Sequence, residues 1–436
     1  MPSLAEIHKK LRGKHTFPDT KTIAEFRYLS QAVLLSTITR EQFEGRLKSQ
    51  DYVGARDVAG IIYHEMTHWA DMTGTVWGRR YLREVYDALP LLDRLKEEAA
   101  VAEFWRMVTL HDHERRLVYP NYYRVHEGEV TKFAKETRID FSGGMEFDTL
   151  GRLDTQRPIL FVRFKGPNNE VYVRQPLTVG ALLETTAVWS ETRSWLEVSD
   201  SMPGDEGTVE RALILAELQA LATDPELTLY TAPVRMFEHF AGVADPLVAY
   251  EAAAKVAQLC LNLGADQFAS LVLPERVSVW GERNAASIKN MDPAFAFVVI
   301  LLNAGEMGEG QSVAEWLDHG LDKSGLGNSA AVLSLAVERM RSEPDIAESR
   351  WSDVGHYLLS VGKEIAAMRF DTLDPALTPD LARAYALPLP PLVDADCVTG
   401  RLPSSSFDYS RYDPLVMYEV EFELDEAMSN FLAACR

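Results

Sequence analysis

The pentad His64-Glu65-Met66-Thr67-His68 constrains this chain more than any other feature, because its two histidines act together only on a helical backbone. Residues four apart on an α-helix lie one above the other on one face, so His64 and His68 can offer ring nitrogens to one ion. Val53, Ala55, Val58, Ala59, Ile61 and Ile62 give the preceding turns an apolar face, and the spacing predicts a helix from about Val53 to Met72, broken by Gly74 and Gly78. Two neutral imidazoles leave a zinc ion charged enough to acidify water, and a carboxylate outside the ligand set takes the proton. Glu65 is placed for that second task.

A catalytic zinc keeps three protein ligands and one open position, so two histidines need a partner from elsewhere. The arrangement H-E-x-x-H-x-x-G-x-x-H is excluded, because Asp71 and Gly74 occupy its glycine and third-histidine positions. The run from Tyr63 to His68 resembles the gluzincin group of zinc metallopeptidases. With the Thr75-Val76-Trp77-Gly78 turn and a later Glu-bearing helix, it is also similar to uncharacterised bacterial proteins with an H-E-x-x-H helix. The histidine pair is expected to hold one Zn2+ per chain, and the resemblance implies a Glu ligand downstream. Glu184 is the expected ligand, as the one carboxylate in the otherwise apolar run from Val179 to Val188, where an unpaired charge is costly to bury. Glu191, two turns on along the same face, is the reserve ligand, or orients a ligand or the substrate. The chain departs from the gluzincin pattern in its long gap between His68 and Glu184, in Val188 where an acid is common, and in strands that follow the motif helix rather than precede it.

Other polar residues carry smaller expectations. Asp71 can accept a hydrogen bond from a ligand imidazole or end the helix in solvent, and Tyr230 and His239 are candidates for steadying an oxyanion. His111, Asp112, His113 and Glu114, with His126, Glu127 and Glu129, read as a second metal site or, preferably, as a solvated charged face.

At 436 residues the chain exceeds the usual size of one domain, and its pattern changes along its length. The expected fold class is mainly α with a small β-sheet (α+β), divided into a zincin-like half over residues 1–202 and an all-α half over residues 203–436. Residues 20 to 37 carry helical spacing. Strands follow from Lys135 to Phe141, with a turn at Ser142-Gly143-Gly144 and a return to Leu150. A hairpin is expected from Pro158 to Pro176 around Gly166-Pro167-Asn168-Asn169. Thr178 caps a helix that reaches Val198, and beyond the linker near Pro203 the period stays close to 3.6. Leu387 to Pro391 reads as an extended connector.

A net charge of -21 argues against nucleic acid or anionic membrane as the main partner, since phosphate binding needs clustered Lys and Arg. Cys260, Cys397 and Cys435 lie far apart without a C-x-x-C pair, and no long apolar run or leader-like start is present, which reads as a soluble cytoplasmic protein. Three functions fit these features. The first is a zinc-dependent metallopeptidase acting on a peptide or protein substrate through a zinc-activated water, with Glu65 as general base and a strand such as Ile159 to Phe164 pairing with the extended peptide. The second is a helical binding or scaffold protein with a structural or vestigial metal site. The third is a toxin or defence effector protease. An intact Glu65 favours the first over the second, because a structural site needs no base.

Overall fold

A computed structural model describes residues 24–28, 31–48, 52–90, 109, 112–113, 116–119, 121–126, 130–134, 136–148, 150–349, 351–377, 390, 392–396, 399–400, 421–423 and 426. Among these, helices predominate and two small four-stranded sheets accompany them. The first sheet joins β1 (Glu25–Arg27) and β2 (Ala32–Leu34) to β7 (Leu392–Val393) and β8 (Thr399–Gly400), in that order. β2 and β7 pair in parallel, so a late segment of the chain returns to an early one. The helix expected over residues 20 to 37 is therefore not formed in its described part. Every residue of β1 and β2 is buried, and a short strand covered on both faces has no period of two to distinguish it from a buried helical turn.

The second sheet is antiparallel, in the order β3 (Val125–His126), β6 (Val171–Leu177), β5 (Leu153–Lys165), β4 (Arg138–Phe147). β4 runs straight through Ser142-Gly143-Gly144, where a turn was expected. A Cβ on Gly144 would collide with the ring of Phe161 on β5, so this glycine serves a close approach between strands. The turn comes later, where the Asp148 carboxylate accepts from the backbone N–H groups of Leu150 and Arg152 and Gly151 takes φ 75°. The expected hairpin forms between β5 and β6, with Asn169 at φ 71°. β5 is paired on both sides over Leu160 to Phe164, so an extended peptide cannot add to it there.

The helices described over their whole length are, in chain order, α1 (Arg40–Lys48), α2 (Tyr52–Gly74), α3 (Val76–Ala88), α4 (Val179–Ser201), α5 (Glu206–Thr223), α6 (Thr228–Ala241), α7 (Pro246–Leu261), α8 (Ala265–Ala269), α9 (Glu275–Ser278), α10 (Glu282–Lys289), α11 (Pro293–Ala304), α12 (Val313–Lys323), α13 (Ser329–Ser342) and α14 (Ser352–Thr372). Side-chain caps fix several starts: Thr75 accepts from Gly78, Thr178 from Ala181 and Asn328 from Ala331. α6 contains Pro233, which is tolerated inside the folded helix.

α2 and α4 pack along each other, with Gly60 leaving room for the side chains of Trp195 and Glu191. α14 closes on the end of α2, where Gly362 meets the carbonyl of Thr73. One apolar cluster gathers Tyr63, Met66 and Trp69 of α2 with Leu183 of α4 and Leu358 and Ile365 of α14. The largest cluster takes Val162, Leu182 and Trp189 from before residue 202 together with Phe237, Val256 and Phe297 from after it. No single helix among the described residues is long and apolar enough to cross a membrane.

Candidate metal centre

The i, i+4 spacing on α2 stacks the two motif histidines, with ring centroids 5.0 Å apart. α4 lies against this face and directs Glu184 between them. His64 Nε2 is 3.2 Å from Glu184 Oε2, and His68 Nε2 is 3.5 Å from Glu184 Oε1. One donor atom from each of the three residues lies within 4.8 Å of the others. Zinc bonds of about 2.0 to 2.2 Å in a tetrahedron separate neighbouring donor atoms by about 3.3 to 3.6 Å, so this spacing and this donor set fit a zinc ion.

Glu191 stands behind His64, with its Oε2 3.2 Å from Nδ1. A proton on Nδ1 donated to that carboxylate leaves the Nε2 lone pair facing Glu184 and the open side of the cluster. Burial alone would lower the His64 pKa, but its hydrogen bonds to Glu184 and Glu191 raise it well above the ordinary value. Burial pushes Glu184 up, yet the charges and hydrogen bonds of His68 and His64 prevail and hold its carboxyl down at about 2. A cation seated among the three takes the place of the proton that His64 otherwise holds.

Glu65 is buried beside this cluster and makes no ion pair with it. Desolvation, only partly offset by His64 and His68, raises its carboxyl to about 7. A carboxyl in that range can take up and release a proton near neutrality.

Asp71 neither ends α2 in solvent nor serves the ligand rings in the expected way. It is fully buried, accepts a hydrogen bond from Thr186 of α4 at 2.6 Å and faces the guanidinium of Arg369 of α14 at 2.7 Å. Its carboxylate ties the three helices around the site together. Tyr230 and His239 both lie on α6. Tyr230 packs against the largest apolar core, while His239 is exposed beside Phe240, with Arg276, Asp140 and Arg235 as its charged neighbours.

Two aromatic residues with no local signal in the sequence flank His68. Tyr28, at the exit of β1, is buried with its ring centroid 6.2 Å from that of His68, and Phe26 flanks the same histidine at 6.3 Å. Burial, followed by the charges of Glu184, Glu65 and Asp71, raises the Tyr28 phenol well above its ordinary pKa. The chain has 16 tyrosines, and nothing local distinguishes this one.

The second histidine group does not assemble among the described residues. His113 pairs with Glu84 at 2.6 Å and His126 with Glu226 at 3.0 Å, while His111, Glu114, Glu127 and Glu129 lie outside the described residues. No protein-family model, curated protein or solved structure matches this chain.

Proposed function

We propose that this protein is a zinc-dependent hydrolase, a metallopeptidase with a zincin-like N-terminal half, holding one Zn2+ on His64, His68 and Glu184. The observation that carries this reading is the convergence of three donor side chains from α2 and α4 with a fourth buried residue, the acid Glu65, outside the donor set. A purely structural site needs no such acid. Bound zinc supplies a Lewis acid that polarises a substrate carbonyl and acidifies water. Glu65 takes the proton of the attacking water and passes it to the departing amine, a transfer suited to a carboxyl near neutrality. Glu191 holds the His64 ring in one tautomer, and Asp71 with Thr186 and Arg369 keeps α2 and α4 in register.

Elemental analysis of the purified protein should find close to one zinc per chain. His64→Ala, His68→Ala and Glu184→Ala should lose that zinc to a mild chelator, whereas Glu191→Ala should retain it with affinity reduced by about 10- to 100-fold. Equal and negligible zinc in wild type and variants would overturn the proposal. Retention by Glu184→Ala with loss in Glu191→Ala would move the third ligand two turns along α4.

A further inference from the structure

A cavity of about 330 Å³ lies among α3, β5, the start of α4 and the junction of α10 with α11. That volume is in the range of sites for small organic molecules. Trp77 and Tyr81, stacked at 5.9 Å and 19°, form part of its wall, and the Arg80 side chain between them in sequence also lines it.

Most charged groups around this cavity have a partner within hydrogen-bond or ion-pair distance, and Arg80, which the charge of Glu84 reaches only from farther off, is the exception among its arginines. Glu84 is taken by His113 at 2.6 Å. Glu146 accepts from the Tyr119 hydroxyl at 2.8 Å and pairs with Arg116 at 3.2 Å. Arg116 and Arg157 both reach Asp112, at 3.1 and 3.2 Å. Asp292 accepts from the backbone N–H of Ala294 at 2.9 Å as the cap of α11. Arg80 alone among the lining arginines has no carboxylate at ion-pair distance among the described residues. Its one hydrogen bond there runs from Nη1 to the thioether of Met291 at 3.5 Å, a weak acceptor for a guanidinium with five donors.

We propose that this cavity is a binding site for a small apolar molecule bearing one carboxylate, which pairs with Arg80 while its body lies against Trp77 and Tyr81. A planar guanidinium matches a carboxylate with two parallel hydrogen bonds, and the aromatic wall supplies the apolar contact. The carboxylate can come from a free small acid or from the C-terminus of a peptide. The proposal does not depend on the metal centre, because none of its residues is a proposed ligand.

Calorimetric titration of the full chain with 3-phenylpropanoate tests it, with 3-phenylpropanamide as the uncharged control. The acid should bind saturably and at least about tenfold more tightly than the amide. Arg80→Gln should remove that preference, and Arg80→Lys, which keeps the charge without the planar fork, should retain part of it. Acetyl-Ala-Phe binding more tightly than 3-phenylpropanoate would assign the site to peptide termini, and the opposite order to free acids. Both orders support the proposal. Equal affinity for acid and amide, indifference to a folded Arg80→Gln, or no saturable binding at millimolar probe would overturn it. If Arg80→Gln fails to fold, the comparison of acid with amide on wild type still decides.

Discussion

Glu65 and Asp292 are both acids whose environments raise their pKa, and they make separate predictions. Replacing Glu65 by Gln preserves shape and removes the base, so hydrolysis should fall by about 10²- to 10⁴-fold while zinc content and fold stay unchanged. Elemental analysis with digestion of a peptide library reads both quantities, and unchanged activity rules out the assigned role. Burial pushes the Asp292 carboxyl from its ordinary 3.8 to about 6, against the backbone N–H groups of Ala294 and Phe295 and the charge of Arg116. The folded state then holds a proton that the unfolded state has released, so stability falls as pH rises from about 4 through 6 and is level above that. Asp292→Asn keeps a good cap without the titration. It should gain about 1 to 2 kcal/mol near pH 7.5 and nothing near pH 4, as read by urea unfolding at the two pH values. An equal gain at both would remove the link to ionisation.

At the scale of elements, the site depends on how closely α2, α4 and α14 approach one another. Gly362 of α14 lies where a Cβ would meet the carbonyl of Thr73, and backbone cannot swing aside as a long side chain can. Gly362→Ala should therefore destabilise the protein by about 1 to 3 kcal/mol and disturb the Asp71–Arg369 contact. Thermal unfolding measures the first effect, and an unchanged midpoint would mean that the helices separate freely. α2, α4 and the β5–β6 hairpin were legible in the sequence because their signals are local: helical spacing, the Thr178 cap and the Gly166 to Asn169 turn. β1 and β2 were not, because complete burial erases their period, and β4 was misread because Gly143-Gly144 looks the same as a turn or as a place of close packing.

For the whole molecule, the candidate site joins segments that are distant along the chain. Ion binding by the folded state alone stabilises that state by mass action, so removal of zinc should lower the melting temperature of wild type and leave that of His68→Ala unaffected. Differential scanning calorimetry with and without chelator checks this, and equal shifts in both proteins would place the ion elsewhere. The pairing of His64 with His68, and the place of Glu65 beside them, followed from the pentad, because the pitch of one helix sets which side chains share a face. Glu184 was legible as an isolated acid in an apolar run, but its distance from the two rings depends on how α4 packs against α2. The partners of Asp71, the place of Tyr28 beside His68 and the contact of Arg80 with Met291 in its cavity had no local signal. Periodicity and capping act over a few residues and can be read along the chain, whereas the partner of a buried charge comes from whichever segment the folded core brings against it.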